Sequence, residues 1–184
     1  MARIDRRPGI RPRPTLGRRL DLAARYSFPT NATVLLMLLT GAPFGIPGQA
    51  VLLPAVTLGC VWFWSVFRPV SLPPPVVFAL GVLLDLLGYL PLGVGVLILL
   101  VTQGLALRGR RFLGQQGFAV VWLAFSVVAF GAAALTWTLV ALLRLRLIPV
   151  GPSILEAVLT ASLYPALAIP LGAAHRTIAD PERA

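Results

Sequence analysis

One unbroken apolar stretch constrains this sequence more than any other feature. Val76–Leu107 runs for 32 residues and contains a single charged residue, Asp85. As one helix it would measure about 48 Å, far more than the bilayer hydrocarbon thickness of about 30 Å. Gly88, Pro91 and Gly93 near its middle favour a turn. We therefore predict two helices joined by this turn, the first so short that it needs protein neighbours or a re-entrant course.

The composition as a whole is that of a membrane protein. Hydrophobic residues make up 58% of the 184 positions and charged residues only 12%, whereas soluble chains carry about 25% charged residues. This balance argues against a cytosolic enzyme, a secreted disulfide scaffold and a disordered chain. With one cysteine, Cys60, no intramolecular disulfide can form, and the single histidine, His175, argues against a histidine-based metal site.

Four further apolar segments have the length of a membrane-spanning helix, for which about 17 residues is the lower limit. They predict an all-α integral membrane protein with six transmembrane helices. The segments are 30–46, 49–67, 118–143 and 153–174, with Arg68-Pro69 ending the second helix and Ser153 capping the last.

The arginines predict the orientation, because cytoplasmic loops carry an excess of basic residues. All 16 basic residues are arginine. If the central stretch turns back on itself, Arg68, the cluster 108–111 and Arg176 all lie on the side of the N-terminus, and only Arg144 and Arg146 fall outside. We therefore predict that both termini are cytoplasmic.

The N-terminal arm is strongly basic. Residues 1–26 contain eight arginines and two aspartates, a net charge of +6. Within it, 15–26 has the pattern of an amphipathic helix on the inner membrane surface. We expect this arm to meet anionic lipid and not nucleic acid, because no aromatic side chains are interleaved with its arginines for base stacking. The predicted units are an arm at 1–27, a six-helix membrane domain at 28–175 and a cytoplasmic tail at 176–184.

Asp85 is the first candidate for a functional residue, since an acid inside a membrane segment is costly and by default functional. One interpretation is a proton or ion relay. The other is a structural carboxylate that caps the broken helix or pairs with an arginine or Tyr89. The structural role is favoured, because a relay normally needs a second buried ionisable group and the neighbouring segments offer none.

Glu156 and two arginines form a second group of candidates. Glu156 lies early in the last predicted helix, where a negative charge suits the helix dipole. We expect it to cap that helix and to pair with Arg144 or Arg146. Because both arginines oppose the charge bias, we also predict that the loop 144–152 contacts a partner outside the membrane.

Two sets of side chains are expected to stabilise the helices. The first is an interfacial aromatic belt formed by Trp62, Phe63, Trp64 and Phe67. The second consists of glutamines that could form interhelical hydrogen bonds, namely Gln103, Gln115 and Gln116. No group of residues has the spacing of a catalytic, cofactor-binding or metal-binding motif, so we predict a protein that is not an enzyme.

An ordered set of residues also carries a family resemblance. Its centre is the segment 81–93, GVLLDLLGYLPLG. The rest of the set is Phe67-Arg68-Pro69, Pro73, Phe78, Arg110-Arg111-Phe112, Gln116, Trp122, Leu159–Pro165, His175-Arg176 and the tail 181–184. Together these residues resemble the rod shape-determining protein MreD in its alphaproteobacterial form, over about residues 25–184.

The resemblance implies a small protein of the bacterial inner membrane in the rod complex (elongasome), which supports peptidoglycan synthesis and regulates cell shape. It implies MreC as the direct partner, with a peptidoglycan glycosyltransferase, a transpeptidase and the MreB filament in the same assembly. The six-helix arrangement of this family is similar to that of the substrate-binding subunits of vitamin uptake transporters. The family has no established catalytic residues, so none are transferred.

Two other functions remain open from the residues. The same fold could serve as the substrate-binding membrane subunit of a small-molecule transporter, which would require a polar pocket between helices. A proton-coupled carrier would rest on Asp85 alone.

Overall fold

The computed structural model describes residues 16–42, 49–88, 90–145 and 149–179. Within these ranges the chain is all-α, with six α-helices and one short 3₁₀ helix, Pro69–Ser71. The α-helices are α1 (Leu16–Gly41), α2 (Gln49–Phe67), α3 (Pro74–Gly88), α4 (Val94–Leu113), α5 (Phe118–Arg144) and α6 (Gly151–Ala179). The prediction that the long apolar stretch divides into two helices is confirmed.

Consecutive helices run antiparallel, because short connections leave no other course. The ring of Phe28, midway along α1, lies 6.4 Å from that of Trp64 near the end of α2. The side-chain amide of Gln49 at the start of α2 donates to the carbonyl of Thr40 near the end of α1 over 3.1 Å. The side-chain amide of Gln103, midway along α4, donates to the carbonyl of Leu72 before α3 over 2.7 Å. The indole of Trp122 in α5 donates to the carbonyl of Ala161 in α6 over 2.9 Å.

This alternation gives the molecule two chemically different ends. The arginine end carries Arg68, Arg108, Arg110, Arg111 and Arg176, whereas Arg144 at the end of α5 lies at the other end. The acidic end carries the two acids whose side chains are described, Asp85 and Glu156. The separation follows from the split of the central stretch, because the turn after α3 returns the end of α4 to the same side as Arg68.

Helix α2 forms the centre of the core, and here the prediction of an aromatic belt is wrong. Trp62, Phe63 and Trp64 are only 2%, 5% and 0% exposed, and Phe67 alone reaches the surface. The three buried rings contact side chains of neighbouring helices, as when Trp62 packs against Phe125 at 6.1 Å. A helix that touches α1, α3, α4, α5 and α6 leaves these rings no interface to occupy.

The first helix is longer at its start and shorter at its end than the sequence predicts. The expected amphipathic element at 15–26 and the first apolar segment form one helix, α1, which runs through Pro29. Good helix formers such as leucine, alanine and arginine before Pro29 explain the continuation despite the lost backbone hydrogen bond. Residues 1–15, most of the expected arm, and residues 43–48 lie outside the described residues.

Helix α2 has the predicted bounds and α5 ends one residue later than expected, whereas α4 continues to Leu113 and α6 to Ala179, beyond the apolar segments that predicted them. Helix α6 begins at Gly151, so Ser153 lies inside its first turn and does not cap it. Of the glutamines, Gln103 bonds to Leu72 in the connection before α3 and not to another helix, and Gln115 and Gln116 are exposed after α4.

Two of the described helices are long and apolar enough to cross a bilayer. They are Phe118–Arg144 and the part of α6 at Gly151–Arg176. Val51–Phe67 and Pro74–Gly88 are apolar but shorter.

Candidate functional site

Asp85 caps the helix that follows the turn. Its two carboxylate oxygens accept hydrogen bonds from the backbone N–H groups of Gly93 at 2.7 Å and Gly95 at 2.6 Å. The first N–H groups of a helix have no partner within the helix, and a negative charge is favoured there. The structure therefore shows the geometry of a structural cap, and Asp85 is only 2% exposed.

Backbone conformation in the turn explains the residue types that surround Asp85. Gly93 has φ +98°, a left-handed conformation that favours glycine. The carbonyl of Pro91 accepts the N–H of Val94 at 3.2 Å. Gly88 ends α3, and Tyr89, the other expected partner of Asp85, lies outside the described residues.

Two glycines let α3 and α4 approach each other closely. A Cβ atom added at Gly81 would lie 2.5 Å from the Cα of Val96. A Cβ atom added at Gly95 would lie 2.5 Å from the Oδ1 of Asp85. Gly81 therefore sets the distance between the helices, and Gly95 makes room for the carboxylate that caps the second of them.

Glu156 lines a cavity between the helices and does not pair with Arg144. The cavity has a volume of about 40 Å³ and lies between α2, α3, α4, α5 and α6. Its polar lining includes Glu156, Thr136 and Thr160, and its wall includes Gly95, so it adjoins the cap of Asp85. Such a volume holds about two or three water molecules.

The expected pairing of Glu156 with Arg144 is not formed. Glu156 lies in the second turn of α6 and lines the cavity, while Arg144 at the end of α5 is exposed. Arg146, the other expected partner, lies outside the described residues. In the regions that the structure describes, no ion pair joins Glu156 to Arg144.

Sequence reasoning missed the two threonines beside Glu156. Thr160 stands four residues after Glu156, which places both on one face of α6. This spacing could have indicated a shared polar face directed inward. Thr136 gives no comparable signal in the sequence, because it lies on a different helix, α5. There its hydroxyl donates to the carbonyl of Ala132 at 2.9 Å.

Arg68 lies at the opposite end of the molecule from Asp85 and Glu156. It follows α2, and its backbone N–H donates to the carbonyl of Trp64 at 2.7 Å. The ring of Phe67, the residue before it, lies 6.0 Å from that of His175 near the end of α6. Arg68 thus forms a separate feature and contributes nothing to the cavity at Glu156.

An apolar groove lies between α4 and α5. Its volume is about 410 Å³, and it is lined by Ile98, Val101, Thr102, Leu105, Val127, Val128, Gly131, Ala132 and Leu135. We call it the α4–α5 groove. Gly131 and Ala132 lie side by side on its wall, and a Cβ atom added at Gly131 would meet no atom within 4 Å. Small residues of this kind let the backbone of another helix approach closely.

Comparison with known proteins gives no relative for this chain. No family model, no curated protein and no solved structure matches it.

Proposed function

We propose that this chain is a non-enzymatic scaffold of the bacterial inner membrane, of the MreD type, that binds MreC within the rod complex. The observation that carries the proposal is the α4–α5 groove, an apolar surface open to the outside of the bundle, with the small residues Gly131 and Ala132 on one wall. Such a surface suits a transmembrane helix and offers no group that could perform catalysis.

The long helices support a location in the membrane. Only 22% of the most apolar stretch of α5 and 28% of that of α6 is buried. The core helix of a soluble protein buries most of such a stretch. Val127 and Ile169 are each 74% exposed, and lipid chains would cover these side chains without the cost of contact with water.

The two ends support the orientation. Basic residues gather in cytoplasmic loops, so we place the arginine end in the cytoplasm and the acidic end on the outer side. Six helices that alternate in direction then leave both chain termini cytoplasmic. The shorter apolar helices, such as α3, would cross the bilayer beside protein neighbours that cover them, as α4 covers α3 at Gly81.

The residues behind the family resemblance support its assignment. Gly81, Asp85 and Gly93 come from the central segment of that resemblance, and each has a distinct part in the hairpin of α3 and α4. The hairpin would hold α4 in place as one wall of the groove. In this proposal the glycosyltransferase, the transpeptidase and the MreB filament join the assembly through MreC or the arginine end.

Filling the groove is expected to weaken binding of MreC. Gly131→Leu places a side chain in the α4–α5 groove, and nothing within the chain obstructs its first atom. Because close helix contact is lost, we expect recovery of MreC on co-purification to fall about tenfold, equivalent to about 1.4 kcal/mol. The readout is the molar ratio of MreC to this chain after extraction from membranes.

Gly172→Leu is the matched control. Gly172 lies on α6, and a Cβ atom there also meets no atom within 4 Å. Recovery of MreC with this variant should equal that of the unchanged chain. Equal recovery with Gly131→Leu and Gly172→Leu would contradict the proposed docking surface.

Charge reversal on the outer loop should also weaken co-purification of MreC. Arg144→Glu combined with Arg146→Glu changes the charge of this loop by four units, and Arg144 is exposed at the end of α5. Mutating charges at the rim of an interface mainly slows association, so we expect a reduction of about threefold to tenfold that shrinks at high salt. Unchanged recovery at low salt would remove the loop from the interface.

The alternative of a vitamin transporter subunit gains no support. Ligand pockets have volumes of roughly 300–1,000 Å³, whereas the polar cavity at Glu156 measures about 40 Å³. The larger α4–α5 groove is lined almost entirely by apolar side chains and is open at the side of the bundle.

A further inference from the structure

Five side-chain atoms among the described residues are buried without a hydrogen-bond partner, and two of them belong to basic side chains at the arginine end. These two are Nη1 of Arg68 and Nδ1 of His175. A buried polar group left unpaired costs about 1–3 kcal/mol, and more when it is charged. Both residues lie where α2 and α6 end side by side, since the ring of Phe67, the residue before Arg68, lies 6.0 Å from that of His175.

The surroundings of these nitrogens favour an anion. Arg108, Arg110, Arg111 and Arg176 lie at the same end, whereas the acids whose side chains are described lie at the other. The position of Arg68 is fixed by its backbone, since its N–H donates to Trp64 and its carbonyl accepts from Ser71 at 3.1 Å. The guanidinium of an arginine can bind a phosphate through two parallel hydrogen bonds.

The same surface offers contacts for hydrocarbon chains. Phe67 is 36% exposed and Val70 is 73% exposed on either side of Arg68. A phosphate beside exposed apolar side chains at the end of a helix bundle matches the headgroup region of a phospholipid. An acidic segment of a protein partner would satisfy the charge but would leave these apolar side chains without a matching contact.

We propose that Arg68 and His175 form a binding site for the phosphate group of an anionic phospholipid. The guanidinium of Arg68 donates to the phosphate oxygens, and the Nδ1–H of His175 donates a further hydrogen bond. Phe67 and Val70 contact the lipid chains. This lipid site rests on the proposed function only in requiring that the chain lies in a membrane. It requires neither MreC nor the α4–α5 groove.

Native mass spectrometry of the full chain, purified without MreC, tests the site. The protein is stripped of lipid in detergent and titrated with phosphatidylglycerol or with phosphatidylcholine. We expect one phosphatidylglycerol molecule to bind at least fivefold more tightly than phosphatidylcholine. Arg68→Gln should weaken its binding about tenfold, the effect of losing hydrogen bonds to a charged group worth about 1.4 kcal/mol.

Arg108→Gln is the matched control for Arg68→Gln. It removes one positive charge at an exposed position of the arginine end, and it should change phosphatidylglycerol binding less than twofold. Equal losses in Arg68→Gln and Arg108→Gln would overturn the site in favour of general charge attraction. If Arg68→Gln does not fold, His175→Phe keeps a ring beside Phe67, removes the donor and should weaken binding severalfold.

Two further arms separate the possible sources of the anion. Inorganic phosphate at millimolar concentration should not protect the chain against thermal unfolding as phosphatidylglycerol does, and equal protection would overturn the assignment to lipid. An acidic peptide that displaces phosphatidylglycerol at equimolar concentration would likewise overturn it in favour of a protein partner. Because MreC is absent from every arm, failure here leaves the test of the α4–α5 groove unaffected.

Discussion

Gly81→Val is expected to destabilise the protein by roughly 3 kcal/mol. The Cβ atom added at this position would lie 2.5 Å from the Cα and 2.9 Å from the backbone nitrogen of Val96. Backbone atoms cannot rotate away as a side chain can, so α3 and α4 must move apart. That movement would also pull the turn away from Asp85.

Thermal unfolding in detergent measures this effect. For a chain of this size, 1 kcal/mol corresponds to roughly 2–4 °C in the midpoint, so we expect a fall of roughly 6–12 °C. Gly104→Ala on α4 is the control, since a Cβ atom there meets nothing within 4 Å. Alanine favours a helix over glycine by about 1 kcal/mol, so the control should raise the midpoint slightly. A midpoint unchanged in Gly81→Val would show that the two helices are not in close contact.

Asp85→Ala is expected to cost about 3–5 kcal/mol. The variant leaves the N–H groups of Gly93 and Gly95 without the carboxylate that accepts both of them at 2.7 and 2.6 Å. Hydrogen bonds to a charged group contribute about 1.5–3 kcal/mol each. The loss should appear as a lower unfolding midpoint, and amide hydrogen exchange should quicken first in the opening turn of α4.

Asp85→Asn distinguishes a cap from a titrating group. An amide oxygen can accept one of the two hydrogen bonds, while the amide nitrogen faces the other N–H, so we expect about half the cost of Asp85→Ala. If cells carrying this variant keep their rod shape and assemble the complex, a titrating role for Asp85 is excluded. Glu156→Gln is a control at the same end, and it should change stability by less than about 1 kcal/mol, because its side chain faces a cavity with room for water.

Comparison of α3 and α2 shows what the sequence could predict. Length and the positions of Gly88, Pro91 and Gly93 sufficed to divide the central stretch, because no single helix of 32 residues fits and glycine and proline disfavour its middle. The prediction misplaced the aromatic residues of α2, because a segment that contains Trp62 and Trp64 has the same sequence pattern in a protein core as at a membrane interface. Which of the two they occupy depends on how many neighbouring helices surround α2.

The acidic residues show the same limit at the candidate site. A structural role for Asp85 followed from its position before a break and from the lack of a charged partner nearby in sequence. The inward direction of Glu156 did not follow, because it depends on which face of α6 packs against α2 and α5.

By itself, the sequence determined the number of helices, the turn that reverses the central stretch and the end at which the arginines gather. These properties depend on apolar length, on glycine and proline, and on the order of charges along the chain. Only the tertiary structure decided which faces became core, which oxygens cap α4, and that Phe67 lies beside His175 across 108 residues of sequence. Such contacts join residues far apart in the chain, and their geometry depends on how all the helices pack together.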